Sequence, residues 1–247
     1  MIVVVGDPTL RFEGGGAPGG AGGPAAALAR ACVGAGASVQ LAGKVGDDPA
    51  GDEILLALTR DGIGHVALLR DAGVTTRLDA PAVAADAGLA EVDPEADEWA
   101  VAADDDPEGA PGATDPADRA APGPARTAAP VSMLAPEDLD LALRYLSTFA
   151  VLIVAQPLSP ETLAVAVESA AYSGAHLVVV DGPDSATATL AAVPADDITA
   201  LESPLADPDG DFAGLVGRYA AALDGGTPPS AAFRAALGAA GWEAATP

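Results

Sequence analysis

Two stretches decide how this chain folds: Gly22-Gly23-Pro24-Ala25-Ala26-Ala27-Leu28-Ala29 and, past Gly36, Gly43-Lys44-Val45-Gly46-Asp47-Asp48-Pro49-Ala50-Gly51. In the second, residues 39–42 are strand-like, and Asp48-Pro49 supplies an N-cap followed by proline at the first helical position. The helix so started carries Ile54, Leu55 and Leu58 and stops at Gly62. In the first, residues 25–35 are rich in alanine and read as a helix. The order is therefore helix, strand, turn, helix.

The same alternation extends in both directions. Residues 1–5 form a short apolar run ending at Gly6-Asp7-Pro8, a buried first strand and its turn. The glycine run at residues 14–23 reads either as a flexible loop or as a turn that lets a ligand approach the backbone. Residues 65–69 are the next strand, and two or three weaker strands are expected within residues 77–89. Leu139, Leu143 and Leu146 recur at helical spacing within residues 137–149, and residues 151–155 are a buried strand. Ser159-Pro160-Glu161 opens a further helix, which Gly174 closes before a strand at residues 176–180. A short strand at residues 198–201 and helices at residues 212–223 and 230–240 complete the chain. Repeated strand and helix of this kind predicts an α/β fold: a mostly parallel sheet flanked by helices on both faces, with ligands at the carboxyl ends of the strands.

Charge and composition narrow the function. The 247 residues carry 36 acidic and 11 basic side chains, a net charge of -25, which repels nucleic acid and anionic membrane surfaces. Lys44 is the only lysine. The longest apolar runs have strand length, far short of the roughly 20 residues of a membrane span, and the single Cys32 has no internal disulfide partner. A cytoplasmic protein is expected. His65 and His176 lack metal-ligand spacing and read as structural. Residues 91–130 are dense in Asp, Pro, Ala and Gly, and the composition of residues 104–130 predicts an acidic mobile loop.

Taken together, Gly22-Gly23, Gly36, the Val45-Gly46-Asp47-Asp48 turn and its closing Gly51 resemble the amino-terminal pattern of the ribokinase, or PfkB, family of carbohydrate and nucleoside kinases. The likeness continues through Gly62, through Pro136-Glu137-Asp138-Leu139, through residues 156–180 and through Phe212-Ala213-Gly214 onward. It implies a single ribokinase-like domain over residues 1–247 with a small β lid from residues 77–103. It also implies ATP- and magnesium-dependent phosphorylation of a hydroxymethyl group on a small sugar or nucleoside, and a homodimer joined through the lid.

Mapped onto that pattern, Gly22, Gly23 and Gln156 are the substrate-binding candidates, Asp211 the candidate base, and Gly210 and Glu202 the nucleotide and anion candidates. The departures are as telling. The sugar-binding Asp of the family falls at Arg11, its signature Asn at Ala27, and its Asn-Glu motif at Leu201-Glu202. The catalytic Gly-Ala-Gly-Asp loop shrinks to Asp207-Pro208-Asp209-Gly210-Asp211, two residues short of an anion hole, and only residues 203–209 stand where the family builds its nucleotide cradle. Phosphoryl transfer depends on positioned donors, so these losses favour a degenerate kinase homologue that binds a sugar or a partner and needs no cofactor. The alternative is an active minimal kinase in which Asp211 is the base, Glu202 acts through magnesium, and Gly210 with a helix N-terminus holds phosphate.

Overall fold

The computed structural model describes residues 1–12, 17–79, 132–146, 148–180, 190, 193–204 and 207–240. All of these fall in one compact unit, Met1–Pro81 with Ala128–Pro247. Residues 80–131, which contain most of the expected lid and the whole acidic loop, lie outside the described residues. In chain order the elements are β1 (Ile2–Val5), β2 (Thr9–Phe12), β3 (Pro18–Gly22), α1 (Gly23–Gly34), β4 (Val39–Gly46), α2 (Pro49–Arg60) and β5 (Gly64–Asp71). Then follow α3 (Pro136–Tyr145), β6 (Val151–Val154), α4 (Pro160–Ser173), β7 (His176–Val180), β8 (Ile198–Leu201), α5 (Asp211–Asp224) and α6 (Pro229–Ala239).

Six strands form one sheet in the order β5-β4-β1-β6-β7-β8, and every pairing in it is parallel. The central strand β1 is Ile-Val-Val-Val with all four residues buried, because helices cover both of its faces. Alternation divides the apolar side chains between two cores. Ile2, Val4, Leu41, Ile153 and Val178 join α1, α2, α5 and α6, whereas Val3, Val5, Leu152, Val154 and Leu177 join α3 and α4.

The helix ends follow the local chemistry of the sequence. The Asp48 side chain accepts the Gly51 N–H at 2.8 Å, and the Ser159 side chain accepts the Thr162 N–H at 3.1 Å. Gly174 ends α4 at φ +61°, a left-handed conformation that glycine adopts without the Cβ clash.

A second, two-stranded antiparallel sheet joins β2 to β3, with a parallel bridge from Leu10 to Leu78. The glycine run is thus partly a strand. Pro18-Gly19-Gly20-Ala21-Gly22 has no alternating side chains to announce it, and its order comes from cross-strand hydrogen bonding to Thr9-Leu10-Arg11-Phe12. Residues 77–79 are the described part of the expected lid, and Leu78 within them reaches this small sheet.

α1 and α5 meet backbone to backbone. A Cβ on Gly217 would lie 2.5 Å from the Ala31 carbonyl carbon, so only glycine permits this approach. Gly217→Val should lower stability by about 1–3 kcal/mol through overpacking. Gly238→Ala, where a Cβ on α6 would meet nothing within 4 Å, should raise it by about 0.5–1 kcal/mol. Urea unfolding of both variants checks the pair; equal effects would mean that the close approach does not constrain the fold.

Candidate functional site

In a parallel sheet, all the strands deliver their carboxyl ends to one edge. Here that edge carries Gly6 and Asp7 after β1, Asp47 and Asp48 after β4, Gln156 beyond β6, and Glu202 after β8. The starts of α1 and α5 flank it. Gly217 lies six residues into α5 and Ala31 eight residues into α1, so at 1.5 Å per residue the contact stands about 9 and 12 Å below the two helix starts. Gly22-Gly23 and Gly210-Asp211 are therefore both delivered to this edge.

At the α1 end, Gly23 has φ +76° and Gly22 is the buried N-cap. A Cβ on Gly22 would lie 2.1 Å from Asp79 Oδ2 and 2.9 Å from Thr9 Oγ1, and the Thr9 hydroxyl donates to Asp79 Oδ1. Asp79 was not foreseen; 57 positions separate it from Gly22, and only the Leu10–Leu78 bridge brings it there. Gln156 is 3% exposed. Its Oε1 accepts the Asp7 N–H at 3.1 Å, while its Nε2 is buried with no hydrogen-bond partner. The side chain lies over Gly6: a Cβ built there would be 3.2 Å from Gln156 Oε1 and 3.0 Å from Ala25 Cβ in the first turn of α1.

Asp7 itself is a second unforeseen residue, 2% exposed. Its Oδ1 accepts the Lys44 N–H at 2.9 Å, its Oδ2 accepts the Met133 N–H at 2.6 Å, and Arg77 Nη1 is 3.9 Å away. Burial pushes its carboxyl above the ordinary value, against the lowering effect of those donors. The apolar run ending in Gly6-Asp7 was the only local sign of it.

Lys44 is committed elsewhere. Its Nζ pairs with Asp138 at 2.5 Å and with Asp71 at 3.6 Å, and the Asp138 bond is the main cause of its raised pKa. Asp47 pairs with Arg70 at 2.6 Å. Asp48 caps α2 and also accepts the Thr76 N–H at 2.8 Å and its hydroxyl at 2.7 Å, bonds that hold its carboxyl below the ordinary 3.8. Both acids are structural, as the cap and turn readings expected.

At the α5 end, Asp211 is exposed at the first helical position, and Gly210 is the N-cap at φ +74°. The amide groups that follow already have a partner within the chain. Asp207 Oδ1 accepts the Phe212 N–H at 3.1 Å and Oδ2 accepts the Ala213 N–H at 2.9 Å. Glu202 is exposed just beyond β8. The replaced positions point away from polar chemistry: Ala27 and Leu201 pack against the first core, and Arg11 donates to the Gly19 carbonyl along its own hairpin at 3.1 Å.

Away from this edge, Cys32 is buried and its thiol is pushed up to about 12 by burial. His176 Nε2 shares Thr199 Oγ1 with the Tyr219 hydroxyl, at 2.9 and 2.7 Å, a structural cluster. Among the described residues no group of three His, Cys, Asp or Glu side chains is placed to hold a metal, and no helix is long and apolar enough to cross a membrane.

Comparison with known proteins gives a consistent picture. Residues 13–115 match the family model described as pfkB family carbohydrate kinase. No curated protein sequence matches the chain significantly. Among solved structures, phosphofructokinase-2 from Escherichia coli in complex with fructose-6-phosphate aligns at TM-score 0.55 and 13% identity, over 97% of this chain and 92% of that one. An uncharacterized sugar kinase from Pyrococcus horikoshii aligns at TM-score 0.42 and 12% identity, over 73% of this chain; the match spans only 54% of that protein's length. The fold is ribokinase-like.

Two outcomes follow from the geometry. Asp207→Ala should cost about 0.5–2 kcal/mol, because the Phe212 and Ala213 amides lose their acceptor; an unchanged urea midpoint would show that the cap contributes nothing. Asp48 has a lowered pKa in the folded state, so its stabilisation is present above the unfolded carboxyl value and is lost as pH falls through the folded one. Asp48→Asn should flatten that acid limb in a plot of melting temperature against pH.

Proposed function

We propose that this protein is a catalytically degenerate kinase homologue, a binding protein that keeps the sugar-facing side of a carbohydrate-kinase fold and has lost phosphoryl transfer. One observation carries the reading: the Asp207 carboxylate occupies the Phe212 and Ala213 amides at the start of α5. A phosphate needs those N–H groups and the positive end of the helix dipole, and a resident carboxylate satisfies the first and opposes the approach of a second anion.

The residues around that end do not fit ATP and magnesium. The shortened loop offers one glycine, Gly210, and a Cβ there would meet nothing within 4 Å, so it is not a tight cradle around a group. Asp207, Asp209 and Asp211 add negative charge where a nucleotide would bring more. The opposite reading, an active kinase using Asp211 as base, draws on the exposure of that carboxylate at the shared edge. It requires Asp207 to leave the helix start before a phosphate could be held there. Binding of a small sugar or nucleoside, homodimerisation and a cytoplasmic location complete the reading.

The test is ADP release from ATP and magnesium across a panel of sugars and nucleosides, with Asp211→Asn alongside. A cooperatively folding protein should give no release above the variant's background. Turnover that vanishes in Asp211→Asn would establish the kinase instead.

A further inference from the structure

On the sheet face covered by α3 and α4, away from the strand-end edge, a groove of about 980 Å³ runs between those two helices. Leu143, Leu146 and Phe149, all buried, and half-buried Val165 give it an apolar floor. Tyr172 stands on its rim at 94% exposure, the highest of any large hydrophobic side chain among the described residues. A tyrosine left this open beside a concave apolar surface is the composition of a contact site. The charge of the groove is one-sided. Arg144 is the only cation lining it, and Asp140 one turn earlier holds its guanidinium in a two-point pair at 2.7 and 3.1 Å. Glu137 on α3 and Glu168 on α4 also line it; both are exposed, and neither has an ion-pair partner among the described residues.

We propose that this groove receives an amphipathic helix of another protein, apolar on the face turned inward and flanked on both sides by Lys or Arg. An apolar floor between two helices is a surface that a third helix fills with side chains at i, i+3, i+4 and i+7. The walls set its length: α3 has 10 residues and α4 has 14, so they run about 15 and 21 Å. The unpaired carboxylates set its charge. Glu137 and Glu168 stand on opposite walls, so a cation on each flank of the incoming helix meets one of them. This chain does not supply such a helix. None of its described helices holds more than one Arg or Lys, and α4 holds none. A second copy would also bring a net charge of -25 against an equal one. The proposal stands whether or not phosphoryl transfer survives, because no residue of the strand-end edge takes part in it.

The experiment is fluorescence anisotropy of the full chain with three labelled peptides as long as α4, 14 residues. One is a Leu/Lys peptide in the amphipathic helical pattern, one has the same composition scrambled, and one has Glu for every Lys. The patterned Leu/Lys peptide should bind about tenfold more tightly than either of the others, because charge alone does not distinguish it from the scrambled one. Glu137→Lys with Glu168→Lys should weaken that binding about tenfold, whereas Asp196→Lys with Glu53→Lys, the same charge change away from the groove, should leave it nearly unchanged. Val165→Glu separates fit from charge: it adds a negative group yet should weaken binding about tenfold by spoiling the floor. Tyr172→Ala, at an exposed position where folding is not at stake, should weaken it as well. Melting curves show which variants fold. Equal binding of the patterned and scrambled peptides, equal loss in the remote pair, or unchanged binding in folded Val165→Glu and Tyr172→Ala would each overturn the proposal. Sedimentation that shows a dimer dissociated by Tyr172→Ala would overturn it in favour of a second copy.

Discussion

The contact between Gly217 and Ala31 is the constraint on which the functional edge depends. Because α5 lacks a side chain at that point, its backbone reaches α1, and the two helices descend together from the same side of the sheet. Their starts thereby lie toward the same edge. Everything that gives the edge its character, the glycine pair on one helix and the shortened acidic loop on the other, is placed by that approach. A wider spacing would leave the same residues present but unrelated.

The two helix starts differ in how their hydrogen bonds are met. The start of α5 is closed by a carboxylate bonded to its amides, so it is electrostatically satisfied. The start of α1 keeps a carboxylate that is held by a hydroxyl and not by the helix amides, with a free amide donor nearby. The first has its amides met within the chain; the second has unspent hydrogen-bonding capacity.

The α/β architecture was legible in the sequence because β1, β6 and β7 are buried on both faces and so read as unbroken apolar runs, and because the helix caps at Asp48, Ser159 and Gly174 are formed within a few residues of where they stand. The hairpin was not legible, since glycine carries no periodicity and Pro18–Gly22 takes its order from a partner strand. Gln156 was found as a polar residue at a strand end, but its split use, one atom bonded and one not, depends on Asp7 and Gly6 in three dimensions. Asp79 and Asp7 were missed for the same reason. Each acts on residues dozens of positions away, and neither sits in a pattern that local chemistry explains.

Asp7 has a consequence for how this chain can change. Its two oxygens hold β4 through the Lys44 amide and the returning chain through the Met133 amide, and Arg77 on the departing chain lies 3.9 Å away. Departure and return are thus tethered to one buried group just beyond the central strand. Closing a loop costs only about 0.6 kcal/mol more for each doubling of its length. Because both tethers end on one carboxylate, the sheet depends on those bonds and not on the number of residues that separate them in the chain.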